Sequence, residues 1–147
     1  MATSSIPAFK AALLARLQAD AALADVLVTW GYPHSTKPGS EWVNLGATTG
    51  IQATAAVGQK RREETYDQTV TVSCTSALKN EQQALSERAF AIAAAVEDSL
   101  RTWSMTPPFF DGVVRVALVT GMDLDEYVSN EEREARITLR ISCAQRI

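Results

Sequence analysis

The chain has 147 residues, 46% of them hydrophobic and 21% charged, with a formal net charge of −3. That length fits one domain with a core of its own, and the composition excludes a largely disordered chain. The mild acidity excludes the broad basic footprint of a duplex-reading protein, and two cysteines with one histidine give neither a disulfide framework nor a zinc-ligand spacing.

The opening MATSSIPAFKAALLARLQ lacks the basic start and continuous apolar run of a signal peptide, and no later segment reaches the length of a membrane span. Assembly in a cytoplasm, without membrane contact, is the expectation. Ser4 and Ser5 before Ile6 and Pro7 signal a helix start, and Phe9, Leu13, Leu14 and Leu17 then form one apolar face over three to four turns. Ala21 to Asp25 adds a short turn, and Val26 to Trp30 reads as a first strand stopped by Gly31 and Pro33. The polar loop His34 to Ser40 leads into a second strand, Glu41 to Leu45.

From Gly46 to Gly58 the text GATTGIQATAAVG has extended propensity but almost nothing large enough to anchor a core. It reads as a strand pair or arm around Ile51 to Ala56, including Ala53 and Ala55, loosely held within residues 46–62 and ordered by assembly. The basic run Lys60, Arg61 and Arg62 follows it. Glu63 to Ser76 alternates cleanly, with Tyr66, Gln68, Val70, Val72 and Cys74 on a buried side and Thr65, Asp67, Thr69, Thr71 and Ser73 on a wet one.

The segment Asn80 to Arg101 is a long amphipathic helix, with Leu85, Ala89, Ile92, Ala93, Val96 and Leu100 on one face. Asn80 is placed to cap it, with Gln83 returning the bond. Alanines at 84, 89, 91, 93, 94 and 95 make its apolar stripe thin, so a close approach to a sheet is expected. The helix ends near Trp103, before Pro107 and Pro108. Val113 to Val119 is the next strand, closed by Gly121, and Ala135 to Ala144 is the last.

Aligned on their cysteines, Val70, Val72 and Cys74 match Leu139, Ile141 and Cys143, so the two strands read as equivalent partners in one sheet. Both thiols fall in core phase. The whole is an α+β domain, residues 1–147, with a mostly antiparallel sheet and two helices packed on one face.

No catalytic constellation emerges. His34 sits alone in its loop, no Gly-x-Ser-x-Gly turn or phosphate-cradling glycine loop is present, and no cofactor or metal is expected. Asp123, Asp125, Glu126, Glu131, Glu132 and Glu134 read as a solvated or partner-facing acidic loop rather than a metal site, because the alternating calcium-loop pattern is missing. In a ring of like subunits, Lys60, Arg61 and Arg62 would meet a neighbour's acidic loop. Trp30, Tyr32, Trp42, Trp103, Phe109 and Phe110 lie at element ends, where they either plug the core or serve an interface; Trp103, Phe109 and Phe110 are the interface candidates.

The texts LLARLQADAAL, TYDQTVTVSC, SERAFAIAAAVEDSL, VALVTGMDLDEY and REARITLRISC together resemble the tail terminator, or tail completion, proteins of long-tailed bacteriophages over nearly the whole length. The resemblance implies a hexameric ring in the virion that caps the tail tube protein's polymer, stops its growth and offers a surface to head-completion proteins, with DNA passing through the lumen without sequence-specific binding. Two rivals are a head-side connector or stopper and a small metal-dependent enzyme built on the acidic residues.

Overall fold

In the computed structural model, residues 3–31, 40–56, 61–77, 81–129 and 132–147 are described. Helix α1 (Ile6–Ala19) and a 3₁₀ turn (Ala21–Leu23) precede strands β1 (Leu27–Thr29), β2 (Glu41–Ala56) and β3 (Arg61–Ser76). Helix α2 (Gln82–Met105) and a second 3₁₀ turn (Phe109–Gly112) lead into β4 (Val116–Val128) and β5 (Arg133–Arg146). One five-stranded sheet runs in the order β1-β2-β3-β5-β4. Every pairing is antiparallel except β1 with β2, so the sheet is mostly antiparallel, as expected. The fold is α+β, with the helices packed on the sheet.

The core lies between helices and sheet. Phe9, Leu13 and Leu17 of α1 and Leu85, Ala89, Ile92, Ala93, Val96, Leu100 and Trp103 of α2 are buried against Val43, Leu45, Val70, Val72, Ile137, Leu139 and Ile141. Each fully buried large aliphatic side chain contributes about 1.5–3 kcal/mol. Of the alanines expected to bring α2 close to the sheet, only Ala89 and Ala93 are buried; Ala84, Ala91 and Ala94 are exposed. Cys74 and Cys143 are buried as expected, and burial pushes both thiols up to about 12. β3 and β5 are indeed sheet neighbours, but they run antiparallel, so Cys143 pairs with Tyr66 and Cys74 with Ala135.

Three expectations need correction. First, Glu41–Leu45 and the arm are one sixteen-residue strand, β2, whose end is paired to β3 from Gly50↔Tyr66 to Ala56↔Arg61. The stretch is laddered within its own subunit, because a β-ladder needs backbone groups and not bulky side chains. Glycine even assists it. A Cβ on Gly50 would sit 2.5 Å from the Tyr66 Cβ and 2.7 Å from the Thr65 carbonyl oxygen.

Second, Gly121 does not end β4. The strand runs on to Val128, so Asp123, Asp125 and Glu126 belong to a strand and not to a loop. Third, the second face of β3 is wet only in part, since Thr71, Ser73 and Thr75 are all buried. The Asn80 cap, His34, Tyr32, Lys60 and Glu131 lie outside the described residues, as does the side chain of Ala55.

Two bulges sit at the same height in the sheet. In β2, Gly46 and Ala47 are inserted opposite Thr69, between the pairs Leu45↔Val70 and Thr48↔Gln68. In β4, Thr120 is inserted between Val119↔Ile141 and Gly121↔Arg140, and these β5 residues pair in turn with Gln68 and Thr69. Bulges bend a strand and increase its twist, so this common row divides the sheet. The upper half carries Glu41, Ser76 and Val128, and the lower half carries Ala56, Arg61 and Val116.

Gln68 staples the bend. Fully buried, it donates from Nε2 to the carbonyls of Gly46 (3.0 Å) and Thr69 (2.9 Å) and accepts at Oε1 from Thr48 (2.7 Å). A bulge leaves a carbonyl without a ladder partner, and a buried amide is one way to satisfy it. Lys10 Nζ adds a second donor to Gly46 at 3.0 Å.

Candidate assembly surfaces

Above the bend β2 and β3 are buried on both faces, while β4 stays exposed. On the face away from the helices, Trp42 and Asn44 of β2 lie beside Ser73 and Thr71 of β3, and all four are at least 96% buried. The Arg136 guanidinium stacks here on Trp42 (5.8 Å to the ring centroid) and on Tyr127 (5.3 Å), held by Glu134 at 2.6 Å. The Asn44 amide and the Ser73 hydroxyl have no hydrogen-bond partner among the described residues. β1 covers the outer edge of β2 at Trp42–Asn44.

Below the bend only the helix side is covered. Tyr66 packs edge-on to Phe9 (6.0 Å), Phe9 stacks on Trp103 (5.9 Å), and Trp103 meets Phe110 edge-on (5.4 Å). Burial pushes the Tyr66 phenol well above its usual range. Trp103 also donates Nε1–H to Asp111 at 3.1 Å. Phe110 and Asp111 both have φ of +50°, a left-handed conformation that costs non-glycine residues about 1–2 kcal/mol each. The buried ring and the indole bond hold them there. Trp103 and Phe110, 1% and 4% exposed, plug the core, the first of the two roles open to them in the sequence. Phe109 stays at the surface, as does Met105 four residues before it.

The lower half of the sheet is tied to α1 by Glu64, which no sequence pattern singled out. Its buried carboxylate accepts from the Ser5 backbone N–H (2.8 Å) and hydroxyl (2.6 Å) through Oε1, and from Gln52 Nε2 (2.8 Å) through Oε2. Gln52 also donates to the Thr3 carbonyl at 2.8 Å. Burial alone would raise the Glu64 carboxyl, but hydrogen bonds from Ser5, Ser4 and Gln52 outweigh it and hold the group below its usual range. A carboxylate at the first turn of α1 is also favoured by the helix dipole. The signal available in sequence was an acidic residue in buried phase between Arg62 and Tyr66.

On the other face the lower half is bare. Ile51 is 71% exposed, Val116 41% and Leu118 50%. By register, Ile51, Thr65, Ala144 and Val116 form one row, and Thr49, Asp67, Ser142 and Leu118 the next. They line a shallow concavity of about 510 Å³. Ala53 is exposed near the end of β2, and Arg61 and Arg62 at the start of β3. The Arg62 backbone exchanges both hydrogen bonds with Ile147.

The basic and acidic candidates are not brought together. Arg61 and Arg62 pair with Ala56 and Thr54 at the lower end, whereas Asp123 and Asp125 are level with Asn44 and Trp42 at the upper end. Glu126 points to the helix side, accepting from Ser86 at 2.7 Å. Among the described residues, no three histidine, cysteine or acidic side chains come together as metal ligands, and no helix is long and apolar enough to cross a membrane.

No protein-family profile matches the chain, and no curated protein matches it. Among solved structures, it is similar to a chain from the virion of a native gene transfer agent particle. That likeness has a TM-score of 0.65 and 20% identity, and covers 97% of this chain and 99% of the other. What the two share is a fold, over nearly the whole of both chains.

Proposed function

We propose that this protein is a structural virion subunit that closes with like copies into a ring, hexameric by its resemblance to tail terminators. The ring caps the finished tail tube, ends its polymerisation and presents its far side to head-completion proteins. The observation that carries this reading is the end-to-end match to a virion chain. The geometry supports it: among the described residues, nothing below the bend covers either outer edge of the sheet or the face between them. The mild acidity suits a passage through which DNA slides without sticking.

The test is to add the purified protein to growing tail tubes while measuring its mass. A closed oligomer and tubes of limited length are expected. Monomers only, with no effect on tube length, would contradict the proposal. A head-side connector or stopper has the same fold support, and preferential binding to portal-bearing heads over tubes would select it. The enzyme reading is disfavoured by geometry, because Asp123 and Asp125 face away from Glu126 along one strand. Thermal stability unmoved by divalent cations would agree.

A further inference from the structure

We propose that the lower half of β4 (Val116–Thr120) pairs antiparallel with the free outer edge of β2 (Thr48–Ala53) in a second copy of this chain, so that neighbouring subunits share one continuous sheet. This deepens the ring reading and rests on it. Among the described residues, β2 has an outer partner only at Trp42–Asn44, and β4 has none along its length. Each subunit therefore carries two open edges on opposite sides of one sheet.

Their directions match. β3 runs against β2, β5 against β3 and β4 against β5, so β4 is antiparallel to β2. A copy placed beside the first in the same orientation presents its β2 antiparallel to β4. Such a contact uses two different surfaces and closes by rotation into a ring.

The chemistry matches as well. VALVT of β4 and TTGIQA of β2 carry no charge, and their rows hold Val116, Leu118 and Ile51 on the same bare face. Uncharged, apolar open edges are what monomeric sheet proteins avoid. Above the bend the pattern reverses. There β4 carries Asp123, Asp125 and Glu126, at the height where β1 already occupies the edge of β2. Charge thus blocks pairing where a strand is in the way and is missing where the edge is open. The bulge at Thr120 lets the acidic half of β4 turn away from the neighbour's β1.

The experiment mixes subunits carrying one added cysteine each: Thr49→Cys or Ile51→Cys with Val116→Cys or Leu118→Cys. All four positions are exposed, so the fold tolerates the change, and circular dichroism checks it. A link between two singly substituted chains is intermolecular by construction. Buried Cys74 and Cys143 give no background. Under mild oxidation at least one mixture should yield linked pairs in the ring fraction and none in the monomer fraction. Rings of full mass with no link in any of the four mixtures would overturn the shared sheet and leave the ring reading standing. Linkage only to tail-tube subunits would overturn it too. Failure to form any ring would remove both.

Discussion

The two halves of the sheet, on either side of the bend at Gln68 and Thr69, solve different problems with the same strands. Above it, Trp42, Asn44, Thr71 and Ser73 are buried on the face away from the helices, so β2 and β3 are closed there on both sides. Below it, Glu64 and Tyr66 are buried toward the helices while Ile51, Val116 and Leu118 stand in solvent on the other face. The lesson is that an unfinished surface need not be a soft one. The lower half is laddered and clamped to α1, yet among the described residues nothing covers its outer edges or one of its faces.

The largest expected effect separates the core plug from everything outside it. Trp103→Ala removes the ring between Phe9 and Phe110 and frees Asp111, and should cost about 3–5 kcal/mol in denaturant unfolding. A loss below about 1 kcal/mol would mean that the aromatic plug is not what closes the lower end.

Next comes the clamp. Glu64→Ala leaves the Ser5 donors and Gln52 without their acceptor and should cost about 1–3 kcal/mol. Its pH signature has a definite sign. The folded carboxyl is held below its unfolded value, so the native state binds fewer protons in that range. The stabilisation is present above the unfolded value near pH 4 and is lost as pH falls through the folded one. Glu64→Gln should flatten that part of the acid limb. An unchanged limb would show that the carboxylate is not held as described.

Gly50→Ala forces a methyl against Tyr66 and should cost about 1–3 kcal/mol, disturbing the lower half more than the upper in amide exchange. Uniform loss of protection would show that the two halves are not separable. Smallest in stability, and largest in assembly, is Leu118→Lys. It lies exposed on an open edge, so monomer unfolding should shift by no more than about 0.5 kcal/mol while ring formation is lost.

The sequence carried both helices and the buried faces of α1, α2 and β3, because periodicity reports burial directly. It did not carry the length of β2 or β4. Alanine, threonine and glycine in 46–56 pack little, and Gly121 with Asp123 and Asp125 reads as a turn, yet cross-strand hydrogen bonds extend both strands. Nor did it carry the clamp, since Ser5 and Glu64 are 59 residues apart and only the fold joins them. Among the candidate interface residues, Ile51, Ala53, Arg61, Arg62 and Phe109 are exposed. Trp103 and Phe110 are buried, and an aromatic at a helix exit looks the same in sequence whether it turns inward or out.

The central claim is that this subunit completes itself with copies of itself through the bare lower half of its sheet. Sedimentation of the wild-type chain and of Leu118→Lys, at assembly concentrations with tail tubes present, tests it most directly. A closed oligomer for the first and a folded single subunit for the second is the predicted result. A wild-type chain that stays monomeric, or a Leu118→Lys chain that forms the same ring, would contradict it.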